Sequence, residues 1–111
     1  MNKIKPILPS LKEKKRYLVI EIKAKNKISM ETALKQVDNE IKRVLGEIGY
    51  GKAGVMFMEC KDNKAIIKVN NKQSDELRLA LSLVKDINHE PVIIRTLGIS
   101  GILNKAKEQW F

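Results

Sequence analysis

A chain of 111 residues, 43% hydrophobic and 32% charged, suffices for one two-layer core but not for two, and that balance excludes a disordered chain. Its longest apolar stretches, Tyr17 to Ile22 and Pro91 to Ile94, fall far short of the roughly 20 residues a membrane helix requires, and one cysteine with one histidine excludes an internal disulfide and a structural zinc site. The net charge of +9 is uneven: residues 1 to 28 hold nine Lys or Arg against two Glu, whereas residues 29 to 111 hold thirteen against eleven. A surplus concentrated in this way points to a polyanionic partner.

Residues 1 to 9, with Pro6 and Pro9 and no periodicity, read as an extended basic arm. The opening Met-Asn-Lys-Ile-Lys-Pro lacks the uninterrupted apolar core of a secretory signal, so the expected compartment is the cytoplasm. Ser10 and Glu13 stand at capping-box spacing and predict one helical turn over residues 11 to 15. From Arg16 to Ala24 the chain alternates, with Leu18, Ile20, Ile22 and Ala24 on one face and Tyr17, Val19, Glu21 and Lys23 on the other, the pattern of a half-buried strand. Ser29 is placed to cap a helix whose stripe is Leu34, Val37, Ile41, Val44, Leu45 and Ile48, ended by Gly49 and Gly51.

Val55 to Cys60 and Lys64 to Asn70 predict an antiparallel hairpin through the turn-formers Lys61-Asp62-Asn63. Ser74, followed by Asp75 and Glu76, opens a second helix with the stripe Leu77, Ala80, Leu81, Val84 and Ile87. Val92 to Thr96 is a β-branched run read as the fourth strand. After the glycine-punctuated loop Leu97 to Gly101, good helix formers run from Ile102 to Trp110 and Phe111. The expected architecture is α+β: a ferredoxin-like, RRM-like βαββαβ domain with a four-stranded antiparallel sheet and both long helices on one face. A short N-terminal helical turn and a C-terminal helix complete a single domain over residues 1 to 111, with the arm at 1 to 9, the core at 10 to 96, and the loop and last helix at 97 to 111.

That plan hosts many activities, so function is read from residues. Lys3, Lys5, Lys12, Lys14, Lys15 and Arg16 are either phosphate contacts that release counterions or a solvated tail; Lys105 in the last helix joins this cationic set. The sheet face away from the helices would carry Tyr17 and Val19 with Ile66 and Lys68. The run Lys64 to Asn70 has no aromatic on which a base could stack, so a protein partner over Tyr17, Val19 and Ile66 suits the face better. Gly98, Ser100 and Gly101 either offer backbone N–H groups to a phosphate or form a turn capped by Ser100. Arg95 reaches a phosphate or a carboxylate on the neighbouring strand. Trp110 and Phe111 either anchor a partner or fold back on their own core.

No catalytic constellation is visible. Asp75 and Glu76 are helix neighbours about 100° apart, His89 has no recognisable nucleophile nearby, and Cys60 at a strand end reads as a small core residue. The chain is expected to bind no cofactor.

Three segments carry a resemblance. Pro9-Ser10-Leu11-Lys12-Glu13-Lys14-Lys15-Arg16-Tyr17, Glu76-Leu77-Arg78-Leu79-Ala80-Leu81-Ser82-Leu83-Val84 and Ile94-Arg95-Thr96-Leu97-Gly98-Ile99-Ser100-Gly101 resemble, in order and spacing, the small protein subunit family shared by archaeal and eukaryotic ribonuclease P, called component 2 in archaea. The likeness runs from about Lys5 to the last helix.

The resemblance implies a non-catalytic subunit that pairs with a TIM-barrel-like subunit of the same enzyme, component 3, and with other ribonuclease P proteins. It would stabilise the catalytic RNA for 5′ maturation of precursor tRNA, with self-association inside the assembly allowed. Chemistry would belong to the RNA and to Mg²⁺ held by it. Arg16 is the best single RNA contact, because a guanidinium grips a phosphate with two hydrogen bonds. Two other readings compete. One is a ferredoxin-like regulatory or small-ligand domain that dimerises through its open sheet face; it calls for a nearly neutral chain. The other is an enzyme resembling acylphosphatase, for which Lys25-Asn26-Lys27-Ile28 stands where a phosphate-cradling loop is needed.

Overall fold

Alternation places Leu18, Ile20 and Ile22 on one side of β1 (Lys15–Ala24), and their full burial makes that strand the centre of the sheet. The structure, a computed structural model, describes residues 14–111. On one flank β1 pairs antiparallel with β3 (Lys64–Asn70), which pairs with β2 (Met56–Lys61); on the other it pairs with β5 (Glu90–Ser100), which ends against β4 (Asp86–Ile87). The order β2-β3-β1-β5-β4 contains the ferredoxin-like arrangement, extended by one strand beyond the four expected.

The fifth strand exists because the chain reverses at Asn88 and His89, with φ of 51° and 68°, a tight hairpin turn of the kind that matches strand twist. Ile87, assigned from its spacing to the second helix, is instead buried in β4. That helix, α2 (Ser74–Ser82), is preceded by a 3-10 turn over Asn71–Gln73 and stops after nine residues. Ser74 does not cap it: the serine is its first residue, and its hydroxyl donates to the Asn71 carbonyl at 2.9 Å.

Helix α1 (Met30–Ala53) outruns Gly49 and Gly51. It breaks instead at Gly46, whose φ of 76° and ψ of 171° are non-helical, and ends at Gly54 in the left-handed region. Tyr50 in the second half donates a 2.6 Å hydrogen bond to Asp38 in the first, tying the halves across the break. Helices α1 and α2 cover one sheet face, burying Ala33, Val37, Ile41, Leu77 and Ala80 against Leu18, Ile20, Ile67 and Val69.

The opposite face is not open. Helix α3 (Leu103–Trp110) lies on it, and Val19, Ile66 and Ala106 form a second buried cluster flanked by Tyr17, Leu97, Leu103, Trp110 and Phe111. Val19 and Ile66 are therefore core residues rather than partner contacts, and Trp110 and Phe111 fold back over them. Full burial of two such aliphatic side chains contributes about 1.5–3 kcal/mol each. This cover also removes the open face through which a regulatory domain would dimerise.

At the chain's start, Lys14 has no regular structure and Lys15 opens β1, so the helical turn expected over 11–15 does not reach these two; residues 11–13 and the arm at 1–9 lie outside the described residues. At its other end the expected loop Leu97 to Gly101 is mostly strand, since β5 runs on to Ser100. Three further rungs beyond a register shift at Val19/Ile20 carry it there.

Candidate nucleic-acid interface

Pairing brings three strand ends together. Lys15 stands opposite Asn70 in the β1–β3 ladder and Tyr17 opposite Ser100 in the β1–β5 ladder, so the basic start of β1 lies between the ends of β3 and β5. Asn70 is the buried polar residue at this end: its amide nitrogen donates to the Lys52 carbonyl and its oxygen accepts from the Lys15 ammonium. A buried amide with both partners satisfied is a rigid post, so the exposed Lys15 is held at its tip.

Arg16 is held in a second way. Its Nε donates to Asn71 Oδ1 at 2.8 Å, and a β-carbon built on Gly101 would stand 2.8 Å from its Nη1. The absence of a side chain at Gly101 is what lets the guanidinium pass. The Asn71 N–H is fixed in turn by the Lys14 carbonyl at 2.7 Å. Lys14, Lys15 and Lys72 are exposed around this arrangement, and Lys105 is exposed on α3.

Other expected contacts fall elsewhere. Lys3, Lys5 and Lys12 lie outside the described residues. Gly98 sits within β5 opposite Val19, and a β-carbon there would meet Trp110 Cε2 at 2.0 Å, so its open backbone receives an indole rather than a phosphate. Ser100 Oγ accepts the Ile102 N–H at 3.0 Å just after β5, but the serine is not the cap of α3, which is Ile102. Arg95 donates to Glu21 at 2.9 Å across the β1–β5 pair. That hydrogen bond, with the nearby charges of Lys23 and Lys64, holds the Glu21 carboxyl below its ordinary value.

The sheet end thus unites Lys14, Lys15, Arg16 and Gly101 from the expected set and adds Asn70, Asn71 and Lys72, which sequence reasoning missed. The Asn-Asn pair at the end of β3 is their only signal, and nothing local says that it meets the start of β1. Fixed cations without an apolar wall suit phosphate contact and give no purchase for chemistry. Among the described residues no three His, Cys, Asp or Glu side chains converge as a metal site would require, and no helix is long and apolar enough to cross a membrane. Cys60 is exposed on β2, not a core residue.

Comparison with known proteins supplies the lineage. The profile of the Rpp14/Pop5 family matches residues 16–111. Ribonuclease P protein component 2 of Pyrococcus abyssi is 32% identical over 110 residues, covering 97% of this chain and 93% of that protein. Its counterpart in Thermococcus gammatolerans is 33% identical, covering 98% and 92%. That of Methanosarcina mazei is 27% identical, covering 96% and 92%. Among solved structures, a chain of the yeast ribonuclease MRP assembly superposes with a TM-score of 0.65 at 20% identity, covering 80% of this chain and 75% of that one, a likeness of fold. A profile match over β1 to the last residue, joined by relatives of this identity over nearly the whole length, makes the chain a member of the Rpp14/Pop5 family.

Proposed function

We propose that this chain is a non-catalytic protein subunit of ribonuclease P that grips the backbone of the enzyme's RNA through the cationic sheet end and so favours its active shape. The observation that carries the reading is the pinning of Lys15 by Asn70 and of Arg16 by Asn71 and Gly101. Cations fixed before binding lose less side-chain entropy on meeting phosphate than free ones do, and each phosphate they neutralise releases condensed counterions. Hydrolysis of the precursor tRNA would be left to the RNA and its own Mg²⁺, with this chain lowering the repulsion between phosphates brought together in the fold. The companion subunits would be a TIM-barrel-like protein and other ribonuclease P proteins, met through surfaces other than the sheet face that α3 already covers.

Binding to ribonuclease P RNA across a salt series, with companion subunits present, tests the reading. Wild type should show a steep negative slope of log affinity against log salt. A variant with Lys14, Lys15 and Arg16 changed to Ala should flatten it by about 0.7–0.9 for each phosphate that is no longer neutralised. Equal slopes for the two proteins would remove the sheet end from the RNA.

A further inference from the structure

The far end of β1 carries a second feature, independent of the cationic sheet end. Where the β1–α1 connection passes the β2–β3 turn, a cleft of about 520 Å³ opens, within the range of ligand sites. Its aliphatic lining is Ile22, Ala24, Ile28, Met30 and Ala33, of which Ala24, Ile28 and Met30 keep exposed surface, and Lys23, Lys27 and Asn63 line it beside them. The walls are fastened. Ile22 and Asn63 exchange hydrogen bonds, from the Ile22 N–H at 2.8 Å and from the Asn63 side-chain amide at 3.2 Å, and Glu90 accepts both the backbone and side-chain N–H of Asn26 at 3.1 and 2.9 Å.

Charge decides what the cleft suits. Lys23, Lys25 and Lys27 are all exposed. Lys23 has Glu21 4.0 Å away, but among the described residues the ammonium groups of Lys25 and Lys27 make no ion pair. Glu21 is paired with Arg95, whereas Glu90, held only by the neutral amides of Asn26, keeps its charge, so three lysines stand against the two carboxylates of Glu90 and Asp62, a surplus of one positive charge. A ligand matched to this place has a flat apolar body for the floor and negative charge for the rim. A purely aliphatic segment would leave the lysines unused, and a duplex backbone would leave the floor empty.

We propose that the cleft takes one unpaired nucleotide of the RNA, its base laid on the partly exposed Ala24, Ile28 and Met30 and its flanking phosphates held by Lys27 of the cleft and by the exposed Lys25 beside it. The site rests on the RNA-binding reading and deepens it: the contact is to a single strand, and it lies at the end of β1 opposite Arg16. Apolar contact is non-directional and discriminates little among bases, so occupancy depends on strand flexibility more than on sequence.

The test uses the isotope-labelled full chain and two probes, an eight-nucleotide single-stranded oligouridylate and a blunt RNA duplex. Amide shifts are expected at Ile28, Met30, Ala33 and Asn63 with the single strand, and at Lys15, Arg16 and Asn71 with the duplex. Ser29→Phe, which fills the cleft from its exposed edge without changing charge, should weaken the single strand about tenfold, the scale of one lost apolar contact, and spare the duplex. Should Ser29→Phe lower the melting temperature, the surface variant Lys25→Ala/Lys27→Ala carries the comparison with the same expectation. Single-strand shifts confined to the Arg16 end, or single-strand binding unchanged in both variants, overturn the cleft while leaving RNA binding intact. Failure of both probes to bind sinks the RNA-binding reading and the cleft with it. Cleft shifts produced by a companion subunit and not by RNA assign the place to a protein side chain and overturn the proposal.

Discussion

Gly98 and Trp110 fit because one of them has no side chain: a β-carbon on Gly98 would lie 2.0 Å from Cε2 and 2.2 Å from Cζ2 of the indole. The last helix is thereby seated on the backbone of β5, with Ala106 at 0% exposure beneath it.

Gly98→Ala should displace that helix and destabilise the protein by about 1–3 kcal/mol, the usual cost of forcing a methyl into packed space. Trp110 is the single tryptophan, so its emission reports the seating directly. A red shift at low denaturant, ahead of the main urea transition, is the expected signature. In a Trp110→Ala background the glycine substitution should cost much less, since the clashing partner is gone.

Two glycines of α1 should respond with opposite sign. Gly46 has a φ of 76° and ψ of 171°, a region kept by glycine, with nothing within 4 Å of a built β-carbon, so Gly46→Ala meets backbone strain alone and should lose about 1–3 kcal/mol. Gly51 also has open space but lies within the helix without positive φ, and Gly51→Ala should gain about 0.4–1 kcal/mol. Urea midpoints of the two variants decide it; equal signs would refute the kink as the cause.

Tyr50 should titrate late. Partial burial, then the hydrogen bond to Asp38, pushes its phenol from an ordinary 10.0 up to about 12. A folded value above the unfolded one means that this group's stabilisation is complete below pH 10 and is lost as pH rises towards 12. In a Tyr17→Phe background, ultraviolet titration of the remaining tyrosine should show the late phenolate, and Asp38→Asn should bring it only part of the way back, because burial is the larger cause. Complete reversion to the ordinary value would reverse that ranking.

Asn71 should matter to RNA through Arg16. Asn71→Ala removes the oxygen that accepts from Arg16 Nε and should weaken RNA binding by about 0.5–1.5 kcal/mol, the scale of one hydrogen bond. In an Arg16→Ala background the same substitution should do little. Additive effects in a double-mutant cycle would show that Asn71 does not act by positioning the guanidinium.

Much of this fold is legible in the sequence because period-2 and helical stripes name their own elements. Leu18, Ile20 and Ile22 face α1 as their alternation requires, and Val37 and Ile41 face the sheet. What escapes depends on partners distant in sequence. Glycine at position 98 looks like a turn until Trp110 is seen against it, and Leu103, Ala106 and Trp110 make a stripe too short to announce which face it covers. Asn88 and His89 form a hairpin turn without glycine, so Ile87 falls into the neighbouring helical spacing. The cationic site is half visible: Lys14, Lys15 and Arg16 stand out in the chain, whereas the amides that hold them come from the end of β3 and the residue after it, 55 residues away. The far-end cleft is invisible, since Ile22 and Asn63 meet only because β1 pairs with β3, and Met30 joins them only because α1 packs on the sheet.

The central strand has one more consequence. From Tyr17 to Glu21 it is paired on both edges, with β3 and β5, and its two ends are each paired on one, so it cannot stretch or slip without breaking a ladder. At about 3.3 Å per residue it is a ruler some 30 Å long with lysines at both ends. An RNA touching both marks is measured by it: the first contact fixes the local concentration at the second, near millimolar for a short flexible strand and close to nothing for one that cannot span the gap. Under the proposed RNA binding, selection among folded RNAs would come from the distance between the two contacts.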